Sequence, residues 1–368
     1  MRGRAAGGGP AGGPRAGARR IPADLVVLLL STSLVLVVAL SSATSPYASW
    51  VPASGDDDGM ALLRRAAQAG QAVAYEGVQS VTSGAGAGAE RLVEVVHRPG
   101  EGTGFTSAGT PPLNEKSALV VGKSAAMLAI DDGLLRDLAA NYRVTRSGTA
   151  EVCGRTAAVV DARRADGTVA GRFWIDRETA LPLRKDTMDA SGRVAHSTGF
   201  VEVAVGDGTG PLPASAHEAA PWGDRLSGGE AGALRADGWY LPGHVAWDLR
   251  LVEARTTSRD GGRIVHLGYS DGLSMVSVFV QQGRLAGEAP GAAEGMVPVA
   301  DDGGTVYVGD DGQQRRMWES SGFVYTVIAD APPELVDSAA AAFPAPDGSG
   351  LGPRMGRGFD RLGAWVGL

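Results

Sequence analysis

The strongest constraint on the fold is a rhythm: short β-prone runs, each ended by a turn signal, recur across most of the chain. Between residues 142 and 205 they occupy 142–146, 151–163, 169–176, 181–188 and 194–205. Ala165-Asp166-Gly167 and Ala190-Ser191-Gly192 place glycine where a hairpin needs a positive φ, which predicts antiparallel neighbours. Val201, Val203 and Val205 recur at period two, as in a sheet with one apolar face that is covered by helices or encloses something. Upstream, 60–74 reads as an amphipathic helix with Leu62, Leu63, Ala66, Ala67, Gly70 and Val73 at spacings of three and four, and Asp57 or Asp58 as its cap. Runs at 75–82 and 91–98 flank a Gly/Ala tract, a further strand is read at 118–121, and a short helix at 133–141. Beyond 206 a second β-rich unit is read at 245–254, 263–269, 273–281, 305–309 and 317–329, closed by a helix at 334–343 behind Pro332-Pro333.

Composition sets the boundaries. Of 368 residues 55 are glycine, against a usual share of about 7%, so parts of the chain are loop-rich or unfolded. The 44% apolar and 20% charged content still describes a globular body. The net charge is -7 and no long basic run follows residue 20, which excludes nucleic acid as a partner of the body. Residues 1–20 carry Arg2, Arg4, Arg15, Arg19 and Arg20 among Gly, Ala and Pro, a disordered basic segment by composition. Within 21–43 the one charged residue is Asp24, and 25–40 is nearly all Leu and Val. About 20 helical residues cross a hydrocarbon core of about 30 Å, so 21–43 is expected to be a transmembrane helix anchored in the cell membrane. The arginines put the N-terminus in the cytoplasm and the bulk of the chain outside it. Ser41-Ser42-Ala43 keeps a cleaved signal peptide open as the alternative. The expected division is a basic segment 1–20, a membrane helix 21–43, a linker 44–58, a first domain 59–205, a linker 206–236, a second domain 237–343 and a flexible tail 344–368.

No nucleophile elbow, phosphate loop or H-E-x-x-H motif is read in the chain, so no catalytic residue, cofactor or enzymatic activity is expected. Cys153, placed in a strand, is the sole cysteine and can make neither an internal disulfide nor a cysteine-rich zinc site. His97, His196, His217, His244 and His266 are dispersed, and Asp56, Asp57 and Asp58 lack the spacing of a calcium loop, so no metal is expected. If the first sheet encloses a cavity, its lining is expected near Leu62, Val73, Val93, Val95, Trp174 and Leu183, positions that would equally serve as ordinary core.

Several segments carry a family resemblance. Tyr75-Glu76-Gly77, Val95-Val96-His97-Arg98 and the run from Phe173 to Arg184, with its core Trp174-Ile175-Asp176-Arg177-Glu178-Thr179-Ala180-Leu181, resemble the N-terminal domain of the RseB/MucB family of sigma-E factor regulatory proteins. Leu241-Pro242-Gly243, Tyr269-Ser270-Asp271-Gly272-Leu273 and Tyr325-Thr326-Val327-Ile328 resemble that family's C-terminal domain in the same order. The W-I-D-x-E-T-x-L segment is also similar to the wider LolA-like lipoprotein carriers. The resemblance implies a mainly β (α+β) architecture: a LolA-like half-open antiparallel barrel with covering helices, then a smaller β-rich domain. It implies a non-enzymatic regulator of envelope stress signalling that binds the extracytoplasmic segment of a membrane anti-sigma factor and protects it from proteolysis. Lipid or lipoprotein acyl chains entering the barrel would release it, and a lipid or lipoprotein carrier is the alternative reading.

Overall fold

In the computed structural model the described residues are 51–56, 58–83, 90–107, 119–121, 132–206, 218–219, 223–245, 248–259, 262–285, 296–301, 304–310 and 314–347. The expected membrane segment 21–43, the basic segment before it and most of the tail lie outside them. Among the described residues no helix is long and apolar enough to cross a membrane.

The first domain opens with β1 (Val51–Asp56), α1 (Gly59–Ala72), β2 (Tyr75–Ser83), β3 (Arg91–Arg98), β4 (Gly102–Ser107), β5 (Leu119–Val121) and α2 (Asp132–Asn141). It continues through β6 (Arg143–Val152), β7 (Arg155–Arg163), β8 (Val169–Asp176), β9 (Pro182–Met188), β10 (Val194–Val205) and β11 (Glu218–Ala219). These eleven strands form one sheet in the order β1-β6-β7-β8-β9-β10-β2-β3-β4-β5-β11. Pairing is antiparallel throughout except between β5 and β11. The ends of this order, β1 and β11, do not pair, so the sheet is not a closed barrel.

Two apolar clusters hold this sheet. Leu63, Ala66, Ala67 and Ala69 of α1 and Leu135 and Leu138 of α2 pack with Val144, Val160, Ala162, Ala170, Phe173 and Ile175. A second cluster joins Tyr75, Val81, Val93, Val95 and Phe105 of β2–β4 to Ala157, Val159, Trp174, Leu183 and Phe200 of β7–β10. Strands far apart in the order thus share one core, which requires a strongly curved sheet.

The second domain comprises β12 (Asp224–Arg225), α3 (Gly228–Ala236), β13 (Arg250–Arg259), β14 (Gly262–Ser270), β15 (Met275–Gln282), β16 (Val297–Asp301), β17 (Gly304–Asp310), β18 (Gln314–Ser320), β19 (Phe323–Asp330) and α4 (Pro333–Ala341). Its eight strands run β12-β13-β14-β15-β19-β18-β17-β16. The central strands are apolar on both faces. Val265, Val278, Val280, Tyr325 and Val327 face a core closed by Leu234 of α3 and Leu335, Val336 and Ala339 of α4, while Ile264, Phe279, Met317, Val324 and Ile328 form a separate cluster.

Five expectations are corrected here. The stretch 206–236, expected to be a linker, contains β11, β12 and α3, because Ser227 and Glu230 form a reciprocal capping box and Leu234 is buried in the second core. The run 151–163 is not one strand: Cys153 (φ 51) and Gly154 (φ 71) form the tip between β6 and β7. The run 317–329 is likewise a hairpin turning at Ser321-Gly322, and β1 occupies part of the expected linker 44–58. The second domain also extends past 343, since the Pro344 carbonyl accepts from Trp318 Nε1 at 2.8 Å and the Asp347 amide donates to the Glu319 carbonyl at 2.7 Å.

Candidate binding site

Directly paired residues of antiparallel strands share a face. Gln79 pairs with Val93, Tyr75 with His97, Val95 with Phe105 and His97 with Thr103, so these side chains form one continuous wall across β2, β3 and β4. The wall is apolar with neutral polar insertions. His97 Nδ1 lies 2.8 Å from Thr103 Oγ1, and its ring stacks on Tyr75 at 5.0 Å, which in turn meets Phe200 edge-on at 5.7 Å. Burial lowers the His97 pKa and raises that of Tyr75 to about 12, so neither carries charge near neutral pH. Gln79 Oε1 is buried in the same wall without a hydrogen-bond partner.

The structure divides the six expected lining residues. Val93, Val95, Trp174 and Leu183 meet in this second cluster, each at most 8% exposed. Leu62 and Val73 pack against the other cluster, beside Leu63 and Phe173. The Arg184 guanidinium sits 5.0 Å from the Trp174 ring. A depression of about 290 Å³ at Gly154, Arg155, Thr156, Asp176, Arg177 and Glu178 is polar, and Arg155 there is tied to Asp176 at 2.8 Å and to Glu178 at 2.9 Å.

Sequence reasoning missed the seam between the two domains. The turn after β14, Asp271-Gly272-Leu273, enters the first domain, and Leu273 is a member of the α1/α2 cluster. Tyr142 Oη donates to Asp271 Oδ2 at 2.7 Å, Asn141 Nδ2 to the Asp271 carbonyl at 2.9 Å, and Lys185 Nζ to the Leu273 carbonyl at 2.6 Å. Lys185 is partly buried with Nζ 6.0 Å from the Phe173 ring, and desolvation pulls its pKa down despite the attraction of Asp330 and Asp271. His196 Nε2 lies 3.6 Å from Asp330 Oδ1, Arg250 reaches Asp137 at 2.9 Å, and the Ala190 amide donates to Glu334 at 2.9 Å. Burial, joined by the nearby Lys185 charge, lowers the His196 pKa against the pull of Asp330.

The turn itself is legible in Tyr269-Ser270-Asp271-Gly272, although its entry into the other domain is not, and with Gly268 these residues also spell the G-x-S-x-G form. It is no nucleophile elbow. Ser270 lies 1% exposed at the end of a hairpin, donates to the Ser274 carbonyl at 2.7 Å and accepts from the Gly272 amide at 3.0 Å. Among the described residues no cluster of His, Cys, Asp and Glu is arranged to hold a metal.

Fold and seam together define a mainly β protein of two sheets in which the second domain is keyed into the first. Residues 93–221 match the family model of the MucB/RseB N-terminal domain, so this stretch of the chain carries that domain. A crystal structure of MucB in complex with MucA(peri) is similar at 17% identity, covering 79% of this chain and 100% of that one, with a TM-score of 0.47. A structure of MucB alone is similar at 19% identity over 78% and 98% of the two chains, TM-score 0.48. The Pseudomonas aeruginosa MucA/MucB complex is similar at 17% identity over 79% and 100%, TM-score 0.45. No curated protein matches the chain.

Proposed function

We propose that this protein is an extracytoplasmic, non-enzymatic regulator that binds the outer segment of a membrane anti-sigma factor and shields it from proteolysis. The observation that carries this reading is the MucB/RseB N-terminal domain at residues 93–221. Anchoring through residues 21–43 would raise the effective concentration of a partner in the same membrane. Acyl chains of lipid or lipoprotein would act on this complex as ligands of the free form, weakening it by their differential affinity.

Crosslinking of the full-length protein in intact membranes, with mass-spectrometric identification of what it captures, tests the reading. Recovery of a single-pass anti-sigma factor, together with slower proteolysis of that factor when the protein is present, supports it. Recovery of lipoproteins alone overturns it in favour of a carrier.

A further inference from the structure

We infer that the pocket filled by Asp271-Gly272-Leu273 is a recognition site for a turn-forming peptide segment that presents a backbone carbonyl and a branched aliphatic side chain. In the closed molecule this site is occupied in cis by the second domain. Four observations lead there. The pocket is shaped by absence: a Cβ on Gly171 of β8 would lie 2.4 Å from Leu273 Cδ1, so glycine is what leaves room for the leucine. Its wall is polar in one place, where the partly buried Lys185 ammonium donates to the Leu273 carbonyl at 2.6 Å. Its rim, Asn141 and Tyr142 at the end of α2, addresses one residue, Asp271. Gly272 adopts φ 93 and passes so near α2 that a Cβ there would lie 2.1 Å from the Leu138 nitrogen.

The turn behaves as a ligand would, because its shape does not depend on the pocket. Asp271 Oδ1 accepts from the Leu273 amide at 2.8 Å and the Ser274 amide at 2.7 Å, and Ser270 spans the turn to the Ser274 carbonyl. Such preorganisation lets it enter and leave without refolding. The pocket has a corresponding reason to release it. An ammonium held partly out of water against a carbonyl gives up some of its hydration, and parting the domains restores it. Opening therefore exposes a shaped, cation-lined site, and a partner segment that fills it holds the domains apart. That the natural occupant in trans is the anti-sigma segment rests on the function proposed above; the site itself does not.

The test uses the full-length protein with Cys153→Ser and spin labels at Glu178→Cys and Arg284→Cys, one in each domain, plus a peptide of residues 268–277 cyclised through cysteines added at its ends. Leu273→Asp is expected to lengthen the inter-domain distance and leave the pocket empty, so the peptide binds it about tenfold or more tighter than the parent. Gly171→Leu is expected to expel the turn equally while filling the pocket, so the domains part but the peptide does not bind. A parent-like distance in Leu273→Asp, no peptide binding to it, or equal binding to Gly171→Leu would each overturn the inference. Weaker capture of the anti-sigma segment by Gly171→Leu would tie the site to the proposed function. Unchanged capture together with peptide binding to Leu273→Asp would leave the site standing and remove that partner from it.

Discussion

Acidification should destabilise the second domain through a single histidine. His266 of β14 is 9% exposed, stacks on Phe279 at 4.6 Å and places Nε2 3.1 Å from Ser277 Oγ. Burial pushes its pKa down from 6.5 to about 4, with Glu253 pulling it upward and Arg255 adding to the depression. The fold therefore favours the neutral ring, and between these two values the unfolded chain binds more protons than the native one. The contribution is fully present above pH 6.5 and is lost as pH falls toward 4. At pH 5 the unfolded form is favoured by about 1.5 pH units' worth of proton binding, or about 2 kcal/mol. The assay is urea unfolding of the wild-type protein and a His266→Leu variant at pH 7 and pH 5, followed by Trp fluorescence. Buried His97 and His196, whose pKa values are also lowered, contribute to both proteins and cancel in the difference. The wild type should lose about 2 kcal/mol more than the variant on going from pH 7 to pH 5. Equal losses in both would refute the argument, whatever the variant's stability at pH 7.

Three further outcomes follow from local geometry. Asp161→Ala should cost about 2–3 kcal/mol by thermal denaturation, because the fully buried carboxylate accepts charged hydrogen bonds from Arg172 at 2.6 Å and Arg163 at 2.7 Å, while both arginines keep access to water. Ser227→Ala should cost about 1 kcal/mol in the second domain by removing the cap of α3, measurable in the same denaturation. Cys153, half-buried with Sγ donating to the Phe200 carbonyl at 2.7 Å, has its pKa raised by burial and Glu202 from 9.0 to about 11. It should react with iodoacetamide at pH 8 about 100-fold more slowly than a small free thiol; a rate near that of the free thiol would show that the hairpin tip is open.

The segment that most resembled the family has a structural meaning. Trp174-Ile175-Asp176-Arg177-Glu178-Thr179-Ala180-Leu181 is the turn from β8 to β9, not part of the seam. Asp176 Oδ2 accepts from the Thr179 amide at 3.1 Å and its hydroxyl at 2.5 Å, Thr179 Oγ1 accepts from the Leu181 amide at 3.2 Å, and Ala180 adopts φ 62. Asp and Thr at that spacing build the turn from their own side chains, so the pattern was readable without knowing the fold. The hairpins at Ala165-Asp166-Gly167 and Ala190-Ser191-Gly192 were readable for the same reason, with Gly167 at φ 87 and Gly192 at φ 81. Cys153 was misplaced because a β-prone run that turns at a non-glycine residue looks continuous. The α3 region was misplaced because its glycines outweighed the Ser227–Glu230 cap in composition.

What the amino-acid order determined by itself was therefore most of what neighbours a few residues apart carry: alternating strands, turns braced by their own side chains, amphipathic helices and the β-rich character of both units. What only the tertiary structure decided is which elements meet. Asn141 and Asp271 stand 130 residues apart, and Lys185 and Leu273 stand 88 apart. No periodicity links them, since a contact across that distance depends on how two finished sheets pack rather than on local backbone preference. Lys185 read alone is one more surface-type cation in a β-run. The closed fold makes it the partly buried donor in the wall of the pocket that receives Leu273.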